Sequence, residues 1–567
     1  MNKTPTGVMA AKRVAVAVAA VCATLSAPAF ASDDVKNLLD LMLKKGVISQ
    51  QDYDQFINEN KDAAENKQFK EKRIDDDVSK SVKYIQKHEK DGSVKPSGFG
   101  WVSEDGKNEV NLTGRLHYDA RMFDNNFGTT NDRDSSSMGD RFTERRARLG
   151  VTGVFNKDFT YEMVANLTGN NSNATNSTTS TAFIDTAWIN YLPNPGAQIR
   201  VGKFKQPFGL ETLTSSNNID FMERSYQDQI APGKQLGVML HGDINPNTVY
   251  AISGYQKDFD PASSNGGLAP ELAARFATNL AKAFGAGDDV LFHVGAAGTV
   301  GKYQVVPTTS SQKGSTSETK GAFVAFNDEN SGLKNVFRNR IYGTPPCSSP
   351  TNGVCSIGGY SLAASEAATV KKNMYGLELA AAYSATKFQW EYTKASYDAT
   401  SQASTGASNT FYTTQSKGDV KVYYFELIHN LTGESWAPTY KNGVIGAVKP
   451  NSSFSFKDMT GTGAWQLAAR FSKYDASDFG SNSSGGETKY GSNGATSTST
   501  TEAYSLEGSP TGTTTTIGLN WILNPNARVM LNYSISKFKT TFTPVDISGT
   551  SQGNTEKVVS IRTQFNF

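Results

Sequence analysis

The stretch Val110–Met122, VNLTGRLHYDARM, decides the fold. Successive side chains of an extended strand point to opposite faces. Val110, Leu112, Gly114, Leu116, Tyr118, Ala120 and Met122 therefore share one face, and Asn111, Thr113, Arg115, His117, Asp119 and Arg121 share the other. The first face suits an oily surrounding. The second is too charged for an ordinary core, where ionised residues are almost never fully buried unless paired. A strand of this kind fits a wall with lipid on one side and water on the other.

The pattern recurs along the chain. In FTYEMVANL, Phe159, Tyr161, Met163, Ala165 and Leu167 alternate with Thr160, Glu162 and Asn166, and Val164 is the one misfit. In TIGLNWILNPNARVMLNYSI, Ile517, Leu519 and Trp521 precede an NPN reversal. Val529, Leu531, Tyr533 and Ile535 follow it, opposed by Asn520, Arg528, Asn532 and Ser534. The last stretch, VVSIRTQFNF, sets Val559, Ile561, Phe565 and Phe567 against Arg562, Gln564 and Asn566. Soluble sandwiches alternate as well, so loop lengths carry the distinction. Short reversals at Asn156, Pro193, Asn245, Gly285, Ser384 and Asn524 alternate with long Ser/Thr/Asn/Gly-rich stretches, as tight periplasmic turns alternate with extracellular loops in outer-membrane barrels. We expect an all-β, transmembrane antiparallel barrel of about sixteen strands over 96–567. The connection at 430–460 should be a short turn by this count, and it is long.

Ahead of the barrel, residues 1–31 read as a secretory signal, with Lys12 and Arg13 before an apolar run and Ala29-Phe30-Ala31 at its end. Residues 32–95 read as a short helical segment and linker. Leu38, Leu39, Leu41 and Met42 lead it, Ser49 opens a capping-box pattern, and Val78, Val82 and Ile85 follow at spacings of four and three. It suits a periplasmic coiled coil, or equally a solvated linker helix. No later run is long and apolar enough for a spanning helix. Cys347 and Cys355 could close a small loop disulfide in an exported chain. Lys and Arg number 56 against 54 Asp and Glu, and cleavage would remove Lys3, Lys12 and Arg13. The mature chain is then nearly neutral, with no global attraction for nucleic acid. Its five histidines are scattered, and no phosphate loop, zinc spacing or catalytic constellation appears, so we expect no enzyme, metal or cofactor.

The segments LLDLMLKKGVISQQDYDQF, LTGRLHYD, ERRARLGVTGVFNKDFTYEM, VGKFKQPFGLETLTSSNNIDFMERS, GAWQLAARFSKYD, GLNWILNPNARVMLNY and RTQFNF, in this order, resemble the phosphate-selective porin O and P family. The resemblance implies a homotrimeric outer-membrane barrel that passes small anions of the phosphate class, with an arginine ladder, a lysine cluster and a central Arg/Asp site near a loop folded in after the fifth strand. Carried onto this chain, the family's positions fall on Arg115, on Arg145 and Arg146, on Asp185 of FIDTAW and on Arg224 of FMERS. Arg338 and Arg340, with Lys334 beside them, stand for the outer ladder, and Lys394 for the lysine cluster. Thr212 occupies the place of a family lysine after FGLE, which favours anion preference in general over phosphate in particular.

The chemistry is consistent with that expectation. A guanidinium offers a planar fork of donors that matches phosphate or carboxylate oxygens in pairs, and conduction needs sites strong enough to admit an ion yet weak enough to release it. By alternation Arg115, Arg121, Arg146 and Arg148 face water, while Arg145 falls on the lipid-facing set and belongs at or beyond the membrane rim. The alternatives are a general or carboxylate-accepting porin, or a mainly structural or adhesive barrel.

Overall fold

The computed structural model describes Lys44 and residues 99–124, 140–168, 183–256, 270–305, 322–330, 335–341, 356–357, 360–361, 368–404, 411–479, 487–489, 496–498, 504–542 and 553–567. The signal segment, the helical segment apart from Lys44, Lys334 and both Cys347 and Cys355 lie outside the described residues.

Sixteen strands form the wall. They are β1 Glu109–Phe123, β2 Arg141–Phe155, β3 Phe159–Asn166 and β4 Phe183–Asn194; β5 Ala197–Lys205, β6 Lys234–Asn245, β7 Thr248–Gln256 and β8 Pro270–Asn279; β9 Val290–Val305, β10 Ala368–Tyr383, β11 Thr386–Ser404 and β12 Phe411–Asn430; and β13 Ala464–Asp475, β14 Thr511–Asn524, β15 Ala527–Phe542 and β16 Gly553–Asn566. Each pairs antiparallel with the next, and β16 pairs with β1 from Arg115↔Asn566 to Phe123↔Val558, so the sheet closes. Closure removes the unpaired edges that an open sheet would present to lipid.

The alternation of the opening stretch is realised. Tyr118 is exposed on the outside, whereas His117, Asp119 and Arg121 are buried inside the wall. Val164, the misfit of β3, points inward and is buried. One end of the barrel carries the short reversals at Asn156, Pro195, Pro246, Ser384 and Pro525. The long connection between β12 and β13 lies at this end too, and it folds inward. A hairpin of Tyr440–Lys441 and Val444–Ile445 sits in it, and Trp436, Ile445 and Val448 bury against Leu291, Ala380, Ile428 and Ala464. Trp436 donates its ring N–H to the Ala385 carbonyl at 3.1 Å, and Arg275 donates to the Gly443 carbonyl at 2.8 Å. The apolar residues of this segment explain its length: they fill the barrel floor, which a two-residue turn cannot do.

The seam closes on the last residue. Gly114 and Phe567 exchange backbone hydrogen bonds at 3.0 and 3.1 Å, and a Cβ on Gly114 would stand 2.2 Å from the Phe567 ring. We expect Gly114→Leu to overpack this seam and cost about 1–3 kcal/mol, read as a lower melting point of the barrel in detergent, with Phe567→Ala in the same chain restoring most of the loss. An unchanged melting point would show that the seam is not tight.

Candidate functional site

Residues 206–233, between β5 and β6, turn into the lumen. Gly209 begins the turn with φ +77°, a conformation that suits a residue without a Cβ. The Glu391 carboxylate accepts the N–H groups of Leu210 at 2.8 Å and Glu211 at 2.7 Å. These are orphan donors at the start of the single-turn helix α1, Leu210–Leu213. Ser225 caps α2, Tyr226–Ile230, by accepting from Gln227 N.

Between these turns the loop is strapped to one side of the barrel. Lys387 pairs with Asp220, Arg470 with Glu211 at 3.2 Å, and Asn520 donates to the Asp220 carbonyl at 2.8 Å. Arg528 donates to the Ile219 carbonyl at 3.0 Å. The straps come from β11, β13, β14 and β15, so the loop lies against that wall.

Glu223 is the hub. Its carboxylate meets Arg121 at 2.7 Å, Arg145 at 2.7 Å, Arg562 at 2.9 Å and Arg146 at 3.6 Å. Asp119 supplies a second carboxylate to Arg121 and Arg562, each at 2.7 Å. Burial alone would raise the Glu223 carboxyl, but the guanidiniums of Arg145, Arg146, Arg562 and Arg121 hold it well below the usual carboxylate range.

Arg145 reaches this hub because β2 carries a β-bulge. His117 faces Arg146 and Tyr118 faces Glu144 across β1, which leaves Arg145 as the extra residue. A bulge sets two residues of one strand against one of its partner and re-aims a side chain. The expectation that Arg145 lies at or beyond the rim is therefore overturned. It points into the lumen.

The opposite side is open. A cavity of about 710 Å³ runs between the loop and the inner faces of β1 to β8. Arg115, Arg146, Arg148, Arg200, Lys205, Arg224, Lys234 and Arg275 line it, against the acids Glu162, Asp185, Asp228 and Asp243. Arg146 and Arg275 are paired with Glu223 and Glu378 behind the lining, which leaves six cations to four carboxylates and a passage that is electropositive although the whole chain is nearly neutral. Arg115 and Arg148 stand directly opposite each other on β1 and β2, an arrangement of like charges that is unfavourable unless an anion is shared. Asp185 answers only part of this, bonding Arg148 at 3.1 Å and Lys234. Arg115 donates to the Ser216 hydroxyl at 2.6 Å and has no carboxylate within 4.0 Å among the described residues. Arg200 lies 4.1 Å over the Trp188 ring and likewise has none.

Of the residues singled out in the sequence, Arg115, Arg146, Arg148, Asp185 and Arg224 share this cavity. Arg224 is held to it by bonds to the Glu211 and Thr214 carbonyls at 3.1 and 2.8 Å. Arg121 is 2% exposed and locked in the Glu223 hub, so it builds the wall rather than meeting ions. Arg338 is buried in a small sheet made by Ala322–Asn327, Asn335–Ile341 and Tyr504–Gly508, away from the cavity. The side chain of Arg340 lies outside the described residues. Lys394 is corrected outright. The strand turns Lys387, Gln389, Glu391 and Thr393 inward, and Lys394 points outward into an ion pair with Asp419 at 2.7 Å. At Thr212, where a family lysine was missing, Lys205 approaches from the strand end and donates to the Leu213 and Thr214 carbonyls at 3.2 and 2.9 Å. Its donors are committed to the loop backbone, so it does not restore the missing lysine as an open anion contact.

The sequence reading missed Glu223, Arg200, Lys234 and Arg470. Glu223 sits beside the motif arginine in FMERS, and only the inward fold of the loop reveals its partners. Arg200 alternates with the outward residues Ile199 and Val201, so strand parity could have found it.

A family model described as phosphate-selective porin O and P matches residues 110–316 and 358–567. No curated protein matches the chain. Among solved structures, an anion-selective porin from Comamonas acidovorans is 8% identical with a TM-score of 0.39, covering 81% of this chain and 100% of its own. OmpT, an outer membrane protein of Vibrio cholerae, folded in vitro, is 8% identical with a TM-score of 0.38, covering 81% and 98%.

Removing the hub carboxylate by Glu223→Ala leaves Arg121 and Arg562 buried with Asp119 alone. Breaking a buried pair in this way costs about 3–5 kcal/mol. We expect a matching fall in unfolding midpoint and noisier single-channel current as the loop loosens; a quiet channel of unchanged stability would remove Glu223 from the role of anchor.

Proposed function

The chain belongs to the phosphate-selective porin O and P family, and from this premise and the lumen geometry we propose that it forms a passive, anion-preferring diffusion channel for phosphate-class anions. It lies in the bacterial outer membrane as a multi-pass barrel. The observation that carries the reading is the excess of cations along this passage, six not already paired behind the wall against four carboxylates. The Arg115–Arg148 pair, with Lys234 beside it, is the central station. Guanidinium forks exchange the hydration of an entering anion for paired donors. Asp185 keeps the station from being a trap, because it competes with the anion for Arg148 and Lys234 and favours release.

In this reading the channel carries out no chemical turnover and needs no cofactor, and the barrels associate as homotrimers, as the family resemblance implies. Preference among anions follows from charge and shape. A tetrahedral phosphate can span the two guanidiniums, whereas chloride meets them one contact at a time. A general anion pore is the second reading, favoured by Thr212 in place of the family lysine.

Reversal potentials in planar bilayers test this. The wild type should prefer chloride to potassium, and phosphate should block part of the chloride current. Changing Arg115 and Arg148 together to Ala removes two unit charges. At water-like screening each is worth about 1 kcal/mol at contact distance, so the preference should fall by roughly fivefold per charge and phosphate block should vanish. Asp185→Asn should deepen phosphate block and slow its release. Cation preference in the wild type would defeat the proposal, and anion preference without phosphate block would favour the general pore.

A further inference from the structure

We propose that the outward face of β9 to β12, beyond the aromatic row that marks the outer-leaflet boundary, is a docking surface for the phosphate-bearing anionic headgroups of outer-leaflet lipid. Lys394 stands on this outer face, paired with Asp419. Its outward neighbours are rings: Tyr375 and Tyr392 lie 6.3 Å apart, Tyr423 and Phe471 6.2 Å, and Phe425 and Phe471 5.4 Å. They form a row across β10 to β13. Below it, toward the short turns, the outward residues include Leu377, Tyr383, Phe388 and Leu427. From Tyr375 to Tyr383 the strand rises about 27 Å along its axis, and strand tilt brings this near the height of the apolar band of an outer-membrane barrel. The rings therefore mark the upper interface. Yet β11 and β12 contain 19 and 20 residues, about twice what a tilted span needs, so they stand well above it.

Above the row, lysines face outward in two tiers. Lys394 and Lys421 are direct cross-strand partners. Higher up, Lys302 faces Lys371, and Asp398 stands between Lys371 and Lys417. Like charges directly opposite on one face of a sheet are unfavourable, and here the arrangement occurs twice. The acids nearby are already engaged: Asp475, directly opposite Lys421 on β13, pairs with Lys473 at 3.6 Å. Asp419 holds Lys394 at 2.7 Å and accepts from the Ser396 hydroxyl at 2.6 Å, Asp398 accepts from Gln415 at 2.8 Å, and Asp478 accepts from Asp419 N at 2.8 Å. Lys302, Lys371, Lys417 and Lys421 are exposed, and none has a carboxylate within 4.0 Å among the described residues. A recess of about 390 Å³ opens between Lys371 and Lys417, lined as well by Asn373, Ser396 and the carboxylates Asp398, Asp419 and Asp478.

Six outward lysines, Lys302, Lys371, Lys394, Lys417, Lys421 and Lys473, stand against Asp398, Asp419, Asp475 and Asp478, and ammonium groups held in excess at headgroup height attract anionic lipid. The position of the belt selects a lipid headgroup over a dissolved ion: aromatic rings adjoin it on the side where acyl chains begin, so one molecule can satisfy both. The lumen stays out of the arrangement, because these side chains project from the opposite face of the wall.

The test uses the full barrel in nanodiscs of phosphatidylcholine with and without lipid A. We expect lipid A to raise the melting point and to remain bound in native mass spectrometry. The triple variant Lys371→Gln, Lys417→Gln and Lys421→Gln should lose the shift and bind about a hundredfold more weakly, since each lysine near an anionic surface contributes roughly a factor of five to ten. Its single-channel conductance and anion preference should match the wild type, which separates this surface from the pore. Equal lipid A retention by the variant would overturn the proposal. So would an equal melting shift from inorganic phosphate alone, which would assign the belt to dissolved anions, or loss of oligomers in the variant, which would assign it to contacts between copies.

Discussion

One carboxylate shared by four guanidiniums sets the geometry of the lumen. Glu223 sits on a loop with little regular structure of its own, and the arginines that meet it come from β1, β2 and β16, on both sides of the closing seam. A loop of this length would otherwise explore many conformations, each ordered residue opposed by backbone entropy. Desolvating a charge is costly, but once both signs are buried neither can leave alone. The hub therefore fixes where the loop stands, and where the loop stands decides which half of the lumen carries water.

The same economy of charge explains the asymmetry of the passage. Glu211, Asp220 and Glu223 are consumed in strapping the loop to β11, β13 and the seam. Across the cavity the wall of β1 to β8 keeps more cations than its acids neutralise, although Arg146 and Arg275 are themselves paired with Glu223 and Glu378. A nearly neutral protein thus contains an electropositive corridor, made by spending negative charge on construction. The floor contributes as well. Trp436, Ile445 and Val448 cluster with Leu210 and Phe221 of the loop, so apolar packing supports from below what ion pairs hold from the side.

The closed barrel and the inward placement of Arg115, Arg146 and Arg148 were legible in the sequence, because a period of two is a local property and each strand reports it independently. The position of Arg145 was not, since strict counting cannot see a bulge until the partner strand is laid beside it. Lys394 is the instructive error. Its own alternation with Tyr392 and Phe388 marks the outer face, and the family resemblance overrode that evidence. Glu223 and Arg470 were illegible for a different reason: nearly 250 residues separate them in the chain, and their meeting depends on an irregular loop path that no periodicity encodes. The long connection after β12 stood out as an anomaly of length, and its apolar residues account for it only once the barrel floor is known.

The bulge in β2 decides what the loss of a residue here would do. His117 pairs with Arg146, and Tyr118 to Arg121 pair with Glu144 to Arg141, so excising Arg145 would join two stretches that are already in step, and every other side chain of the strand would keep its face. The strand can therefore lose this residue and keep both its oily and its aqueous surface; what disappears is one of the four guanidiniums on Glu223.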